Sequence, residues 1–303
     1  MGSQYYSVGG CEVSTFVQLV TRSLETGSIY ALAALGIIII FRTSSITHFA
    51  QGAMAMFNTF VVTILFTKMD MPLWMALIGG IISAVTTGFL VDFLIIRHTK
   101  KVSPVAKQII TLGLIMVFVG VIPMMFGVEP LNLPQFFNTG DITFLGAKIS
   151  YNGLFNISFG LIIMFVLFYI LQNTKWGLAI RTTASNEVVA RMMGVPTKKV
   201  TMAAWAIAAA LGVIAGVMNA PTTTVTPNLM DSVQLNALVA CVLGGFQTFY
   251  GPVLGAYIIA ILQNLFAYYF SSTWGTQLLY IFILVFIVLR PHGLIGKKVI
   301  KKV

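Results

Sequence analysis

Eight Asp or Glu, three His and two Cys carry most of the acid–base, nucleophilic and metal chemistry open to this 303-residue chain. Their spacing assembles no HExxH helix, no pair of neighbouring carboxylates and no Ser/His/Asp set. Catalytic residues, metal ligands and a bound cofactor are therefore not expected. Cys11 and Cys241 stand far apart, the second in an apolar run, so they imply no disulfide framework. His48, in the run Thr47-His-Phe-Ala-Gln-Gly, reads as a structural histidine, and His98 and His292 sit in basic turns. The sequence holds no GxxxxGK[ST] phosphate loop, so any nucleotide-driven engine must be another polypeptide.

Uncharged polar residues inside apolar runs are better placed to do something. Gln51, Asn58, Asn236, Gln263 and Asn264, with Thr59, Thr63 and Ser83, can line a path for a polar solute or bridge helices. Of the acids, Asp92 lies one turn from the end of a run and five residues before Arg97, Glu25 falls just outside the first run, and Asp231 is assigned to a loop. None is expected at the bilayer midplane, which counts against an ion-coupled carrier.

The elements that must hold these residues are set by composition. The chain is 58% hydrophobic and 9% charged, with mean hydropathy +0.93, whereas a soluble domain carries about 25% charged residues. Too little polar surface exists to cover a core in water, so the apolar surplus faces lipid. The apolar runs are longer than the roughly 9–11 alternating residues of a membrane strand, which excludes an outer-membrane barrel. The expected fold is all-α: a single polytopic permease domain over 1–303, with about 8–9 transmembrane helices. The runs fall near 28–41, 50–66, 73–96, 109–127, 154–171, 201–220, 233–245, 253–270 and 277–289. The second carries Gln51, Gly52 and Asn58, and the seventh is short, so either is expected to be broken or re-entrant. Residues 1–10 lack a signal peptide's basic and apolar regions, and the first span is expected to serve as its own insertion signal.

Net charge is +10, and its distribution gives orientation rather than nucleic-acid binding. Arg42, the loop after the third span (Arg97, Lys100, Lys101, Lys107), the loop after the fifth (Lys175, Arg181, Arg191, Lys198, Lys199) and the tail (Arg290, Lys297, Lys298, Lys301, Lys302) share one face. By the positive-inside rule that face, and the C-terminus, are cytoplasmic. The opposite face carries a long loop, 128–152, placed to receive an external partner or to serve as a solvated connector.

The cytoplasmic loop 173–199 contains a complete short-helix signature. Ser185 and Asn186 precede it, Glu187 sits in the first turn, Glu187 and Arg191 pair at i,i+4, Gly194 suits the position past its end, and Pro196 stops it. Ser185 is the expected cap. A helix so short needs a docking surface, either a groove in a cytosolic partner or the chain's own spans. It presents Val188, Val189, Met192 and Met193 for that contact. Elsewhere, small residues recur at Ala204, Ala208, Gly212, Gly216 and Ala220, and again at Gly251 and Gly255, read mainly as close packing within the chain.

Together these segments resemble the permease subunits of bacterial branched-chain amino acid ATP-binding-cassette importers, the LivH type. The resemblance rests on Gly27-Ser-Ile-Tyr-Ala-Leu-Ala-Ala-Leu-Gly36, on Thr111-Leu-Gly-Leu, on Trp176-Gly-Leu-Ala-Ile-Arg-Thr-Thr-Ala through Met193-Gly-Val-Pro196, on Val242-Leu-Gly-Gly-Phe through Tyr250-Gly-Pro-Val-Leu-Gly255, and on the tail Leu289-Arg-Pro-His-Gly-Leu-Ile-Gly296. It implies a multi-pass subunit of the bacterial inner membrane that pairs with a second permease, either a copy of itself or a paralogue. It also implies two cytosolic ATPases carrying ATP and Mg, and an extracytoplasmic substrate-binding protein. The short cytoplasmic helix then resembles the family's coupling helix, with Ser185, Asn186, Glu187, Val188, Arg191, Met192 and Gly194 at the ATPase contact. The implied cargo is branched-chain or other small neutral amino acids. One run departs from the family: where it usually reads Asn-Phe-Ala-His-Gly-Glu, this chain has His48-Phe-Ala-Gln-Gly-Ala53. That keeps urea, short amides or another small polar solute, and an ion-coupled secondary carrier, as alternatives.

Overall fold

The structure, a computed structural model, describes residues 5–99, 103–137, 140–144, 147–271, 273–290 and 293–295. Lys100, Lys101, His292, Lys297, Lys298, Lys301 and Lys302, named above, lie outside them. In chain order the helices are α1 (Tyr5–Ser44), α2 (Gln51–Thr67), α3 (Leu73–Leu94), α4 (Pro104–Phe126), α5 (Tyr151–Asn173), two short ones, α6 (Lys175–Ser185) and α7 (Glu187–Met192), then α8 (Thr197–Asn219), α9 (Asp231–Gly244), α10 (Tyr250–Tyr269) and α11 (Gly275–Leu289). Each of the nine expected apolar runs is a helix. Six are long and apolar enough to cross a membrane, whereas α2, α9 and α11 have 17, 14 and 15 residues. At 1.5 Å per residue those three reach only about 21–26 Å, short of a hydrocarbon core of about 30 Å.

α1 and α8 form the centre. Leu32, Leu35 and Ile37–Ile40 of α1 are buried, as are Ala204, Trp205, Ala208 and Val213 of α8, and α1 is flanked by α10, α9, α8 and α5. α3, α4 and α5 lie outside them with large apolar side chains exposed, among them Ile78, Ile82, Met116 and Phe165. That is the inverse of a soluble protein and is what a lipid-facing layer requires.

The small-residue stripe packs inside the chain, as expected. A β-carbon on Gly212 would lie 3.0 Å from that of Ala55, and one on Gly216 would fall 2.1 Å from Thr59 Oγ1, so α2 lies directly on α8. α9 and α10 approach still more closely, because a β-carbon on Gly255 would come within 2.5 Å of the Ala240 carbonyl oxygen.

The loop 128–152 is more ordered than a solvated connector. It forms an antiparallel hairpin, β1 (Asp141–Phe144) with β2 (Ala147–Ser150), in register Asp141↔Ser150 and Ile142↔Ile149. Leu131 bridges to Val225, and Phe136 packs on Trp74 and Phe155 at 4.7 and 5.1 Å between ring centres. Ser150 ends β2 and caps α5 by accepting from the Gly153 N–H at 3.0 Å, so hairpin and helix are joined without a linker. α5 is about 35 Å long at 1.5 Å per residue. It separates the hairpin at its start from α6 and α7 at its end.

Candidate functional site

The loop between α5 and α8 holds two helices where the sequence predicts one. Thr174 caps α6, accepting from the Gly177 N–H at 3.0 Å. Gly177 is required there: a β-carbon would sit 2.3 Å from the Ile170 carbonyl oxygen and 2.4 Å from that of Leu171. Arg181 donates to the Gln172 carbonyl at 3.2 Å, satisfying one of the last acceptors of α5. The Trp-Gly-Leu-Ala-Ile-Arg motif thus folds α6 back under the end of α5, where Ile180 and Thr183 are buried.

α7 follows after one extended residue, and its cap is a correction to the expectation. Asn186, not Ser185, closes the N-terminus, its Oδ1 accepting from the N–H groups of Val188 and Val189 at 3.0 and 3.1 Å. Ser185 is the last residue of α6, whose own length moves the boundary by one. Glu187 and Arg191 form the expected ion pair, and Gly194 adopts a left-handed conformation with φ +83 while the Val195 N–H returns to the Ala190 carbonyl. Ala190 is buried against the protein, while Val188, Met192 and Met193 are 60%, 81% and 76% exposed. So much apolar surface on the solvent side of a six-residue helix marks it for burial by another molecule. Behind α7 a crevice lined by Ser44, Asp92, Arg97, Lys107, Glu187 and Lys198 joins it to the ends of α1, α3, α4 and α8, with Asp92 ion-paired to Arg97 at 3.1 Å.

The α9–α10 turn is clamped at the same face. Arg42 donates to the Gln247 carbonyl and lies over the Phe249 ring. Past α11, Leu294 N–H donates to the Leu243 carbonyl at 2.8 Å. Gly293 has φ +73, and a β-carbon there would meet Gly245 N at 2.8 Å, so Gly293 and Leu294 cap the C-terminal end of α9.

The two short helices α2 and α9 begin part-way along the helical bundle. Gln51, the first residue of α2, donates to the Ala208 carbonyl at 2.6 Å. Ala208 lies about 16 Å along α8 from Thr197 at 1.5 Å per residue, about half the hydrocarbon thickness. The segment before α2 is irregular yet buried, with Ile46, His48 and Ala50 almost inaccessible and the His48 ring on Trp205 at 4.4 Å. α9 starts at a matching depth, because a β-carbon on Gly52 would lie 2.8 Å from Gln234 Cβ, and Gln234 donates to the His48 carbonyl. Neither α2 nor α9 has a side-chain cap. A crevice of about 170 Å³ lies beside them, lined by Phe49, Gly52, Ala53, Ile115, Asp231, Gln234, Leu235 and Leu238. Sequence reading placed Asp231 in a loop. The chain between α8 and α9 dips back into the span, a turn for which the apolar pattern gives no signal.

The five expected path residues each bridge helices in this conformation. Asn58 donates to Thr87 Oγ1 and accepts from Ser83 Oγ across α2 and α3. Asn236 and Gln263 share one partner: Asn236 donates to the Tyr30 hydroxyl, which donates to Gln263 Oε1, and Tyr280 donates to Asn236 Oδ1, so the chain ties α11, α9, α1 and α10 together. Asn264 donates to Ser23. Only Gln51 among the five keeps a shielded oxygen without a partner among the described residues. Glu25 is engaged as well, accepting from Asn156 Nδ2 at 2.7 Å in the second turn of α5. It lines a recess of about 350 Å³ with Arg22, Asp141 and Lys148 beside the hairpin.

The fold is that of a multi-pass helical membrane protein, with a short helix that exposes apolar side chains at one end and half-length helices packed within the bundle. Residues 19–288 match the family described as branched-chain amino acid transport system / permease component, and the chain belongs to that family. It is 26% identical to the probable branched-chain amino acid transport permease protein LivH of Methanocaldococcus jannaschii, over 90% of this chain and 91% of that one. It is 22% identical to the high-affinity branched-chain amino acid transport system permease protein BraD of Pseudomonas aeruginosa, over 96% and 99%. A third relative is the autoinducer 2 import system permease protein LsrC of Salmonella paratyphi B, 25% identical over 90% of this chain and 75% of that one. The solved structure of PsaBC from Streptococcus pneumoniae in complex with Fab contains a chain of the same fold. Its TM-score is 0.51 at 12% identity, covering 94% of this chain and 96% of that one.

Proposed function

We propose that this chain is the membrane subunit of an ATP-driven importer for branched-chain or other small neutral amino acids. The observation that carries the reading is α7, a helix capped at both ends that turns Val188, Met192 and Met193 outward, away from the chain. Its occupant is a groove in a cytosolic ATPase, which holds the ATP and Mg. α6 fixes the near end of α7 to α5, and Gly194–Pro196 join its far end to α8, so closure of two ATPases displaces α8, the helix on which α2 lies. A second permease subunit completes the path, and an extracytoplasmic binding protein delivers solute to the face that carries the hairpin and its charged recess. The basic face and the C-terminus are cytoplasmic. Gln51 stands nearest the path, while Asn58, Asn236, Gln263 and Asn264 lie along the seams between helices that must move.

One observation favours a second reading, an ion-coupled carrier: Asp231 lies within the span, where such carriers keep an acid. Replacing Met192 by Glu separates the two. An importer variant loses its co-purifying ATPase and its ATP-dependent leucine uptake in proteoliposomes while still inserting. A carrier keeps uptake under an ion gradient without ATP.

A further inference from the structure

Asp231 is exposed on this chain, and no ion pair or hydrogen bond of its carboxylate is present among the described residues. At its depth a carboxylate facing lipid is costly, so this side of the chain faces water or protein. The crevice beside it is mostly apolar, with walls of Phe49, Ile115, Leu235 and Leu238. Its polar groups are few and of opposite character. Asp231 and Gln234 Oε1, an oxygen shielded from solvent and without a partner among the described residues, are acceptors. Gly52 and Ala53, in the uncapped first turn of α2, offer backbone N–H donors at the positive end of the helix.

We propose that this crevice is a transient binding site for a small zwitterion with an aliphatic side chain, resting on the import reading above. The ammonium group lies between Asp231 and Gln234 Oε1, the carboxylate meets the first-turn N–H groups of α2, and the side chain packs among Phe49, Ile115, Leu235 and Leu238. The site fits an amino acid better than urea or a sugar, because neither supplies a charge for each end. It also assigns the α2–α9 side of the chain to the solute path, and hence to the second permease.

Two experiments on the assembled complex test this. In proteoliposomes with ATPases and binding protein, Asp231→Asn should lower leucine uptake roughly ten- to hundredfold, the size of losing a hydrogen bond to a charged group. Its binding-protein-stimulated ATP hydrolysis and thermal midpoint should be kept, and Asp231→Glu should restore most uptake. Undiminished uptake by Asp231→Asn would overturn the site while leaving the import reading intact. In the second experiment, Leu235→Cys, on the wall of the same crevice and with Asp231 left in place, is exposed to a charged, membrane-impermeant thiol reagent. Labelling slowed by leucine during turnover is expected. Labelling only by a lipid-soluble maleimide would place the crevice against lipid and overturn the proposal, whatever the solute proves to be.

Discussion

The Tyr30 hydroxyl holds two helices by a single oxygen, accepting from Asn236 and donating to Gln263. Tyr30→Phe leaves both amides with an unmet partner inside the membrane, where each such bond contributes on average about 0.6 kcal/mol. The expected result is a lower thermal midpoint, corresponding to about 1 kcal/mol, with ATP-dependent uptake kept below the midpoint. Uptake lost at unchanged stability would instead make Tyr30 part of the solute path. Asn186 allows a similar test at the docking helix. Asn186→Ala removes the acceptor for two N–H groups and costs about 1 kcal/mol of helix stability. Because α7 has only six residues, that is enough to unwind it, so ATPase stimulation by the binding protein should fall while the midpoint of the spans stays put. At this scale the sequence was legible wherever a residue's partner is local. The Glu187–Arg191 pair and the Gly194 turn follow from spacing alone. The cap moved by one residue because α6 claims Ser185, and the role of Asp231 was hidden because its depth depends on a turn made by residues far from it in sequence.

At the scale of elements, α7 lies with an acid at its start and a base at its end, as the helix dipole favours. Glu187→Lys should therefore weaken ATPase recovery in a pull-down. The double swap Glu187→Lys with Arg191→Glu should restore it only in part, since the pair returns but with both charges opposed to the dipole. Full recovery would show that the pair alone matters. The α9–α10 contact gives a sharper prediction. Gly255→Ala drives a β-carbon into the Ala240 backbone, which cannot move as a side chain can. A loss of about 1–3 kcal/mol is expected, read as a drop in thermal midpoint. The nine apolar runs were legible because lipid leaves a continuous apolar signature. The hairpin at 141–150 was not, since each strand has only four residues, and the other contacts of its loop, Leu131 with Val225 and Phe136 with Trp74, join segments distant in sequence.

Across the whole molecule, α5 sets the hairpin and α7 at opposite ends of the bundle, and α8 runs from α7 to the half-length helix α2, which in turn meets α9. On the proposed import function, a push on α7 shifts α2 against α9, which is alternating access if a second permease faces them. What the sequence conveyed at this scale was a multi-pass helical membrane protein and its family. What it could not convey was that α2 and α9 start at one depth, because that follows from Gln51 reaching Ala208 and Gly52 meeting Gln234. The most direct measurement is purification of the tagged chain from its native membranes in mild detergent, with mass spectrometry of what accompanies it and leucine uptake of the same material in liposomes. An ATPase in near-equal amount and uptake that stops without ATP are expected. A chain that comes down alone and moves leucine without ATP would contradict the import reading.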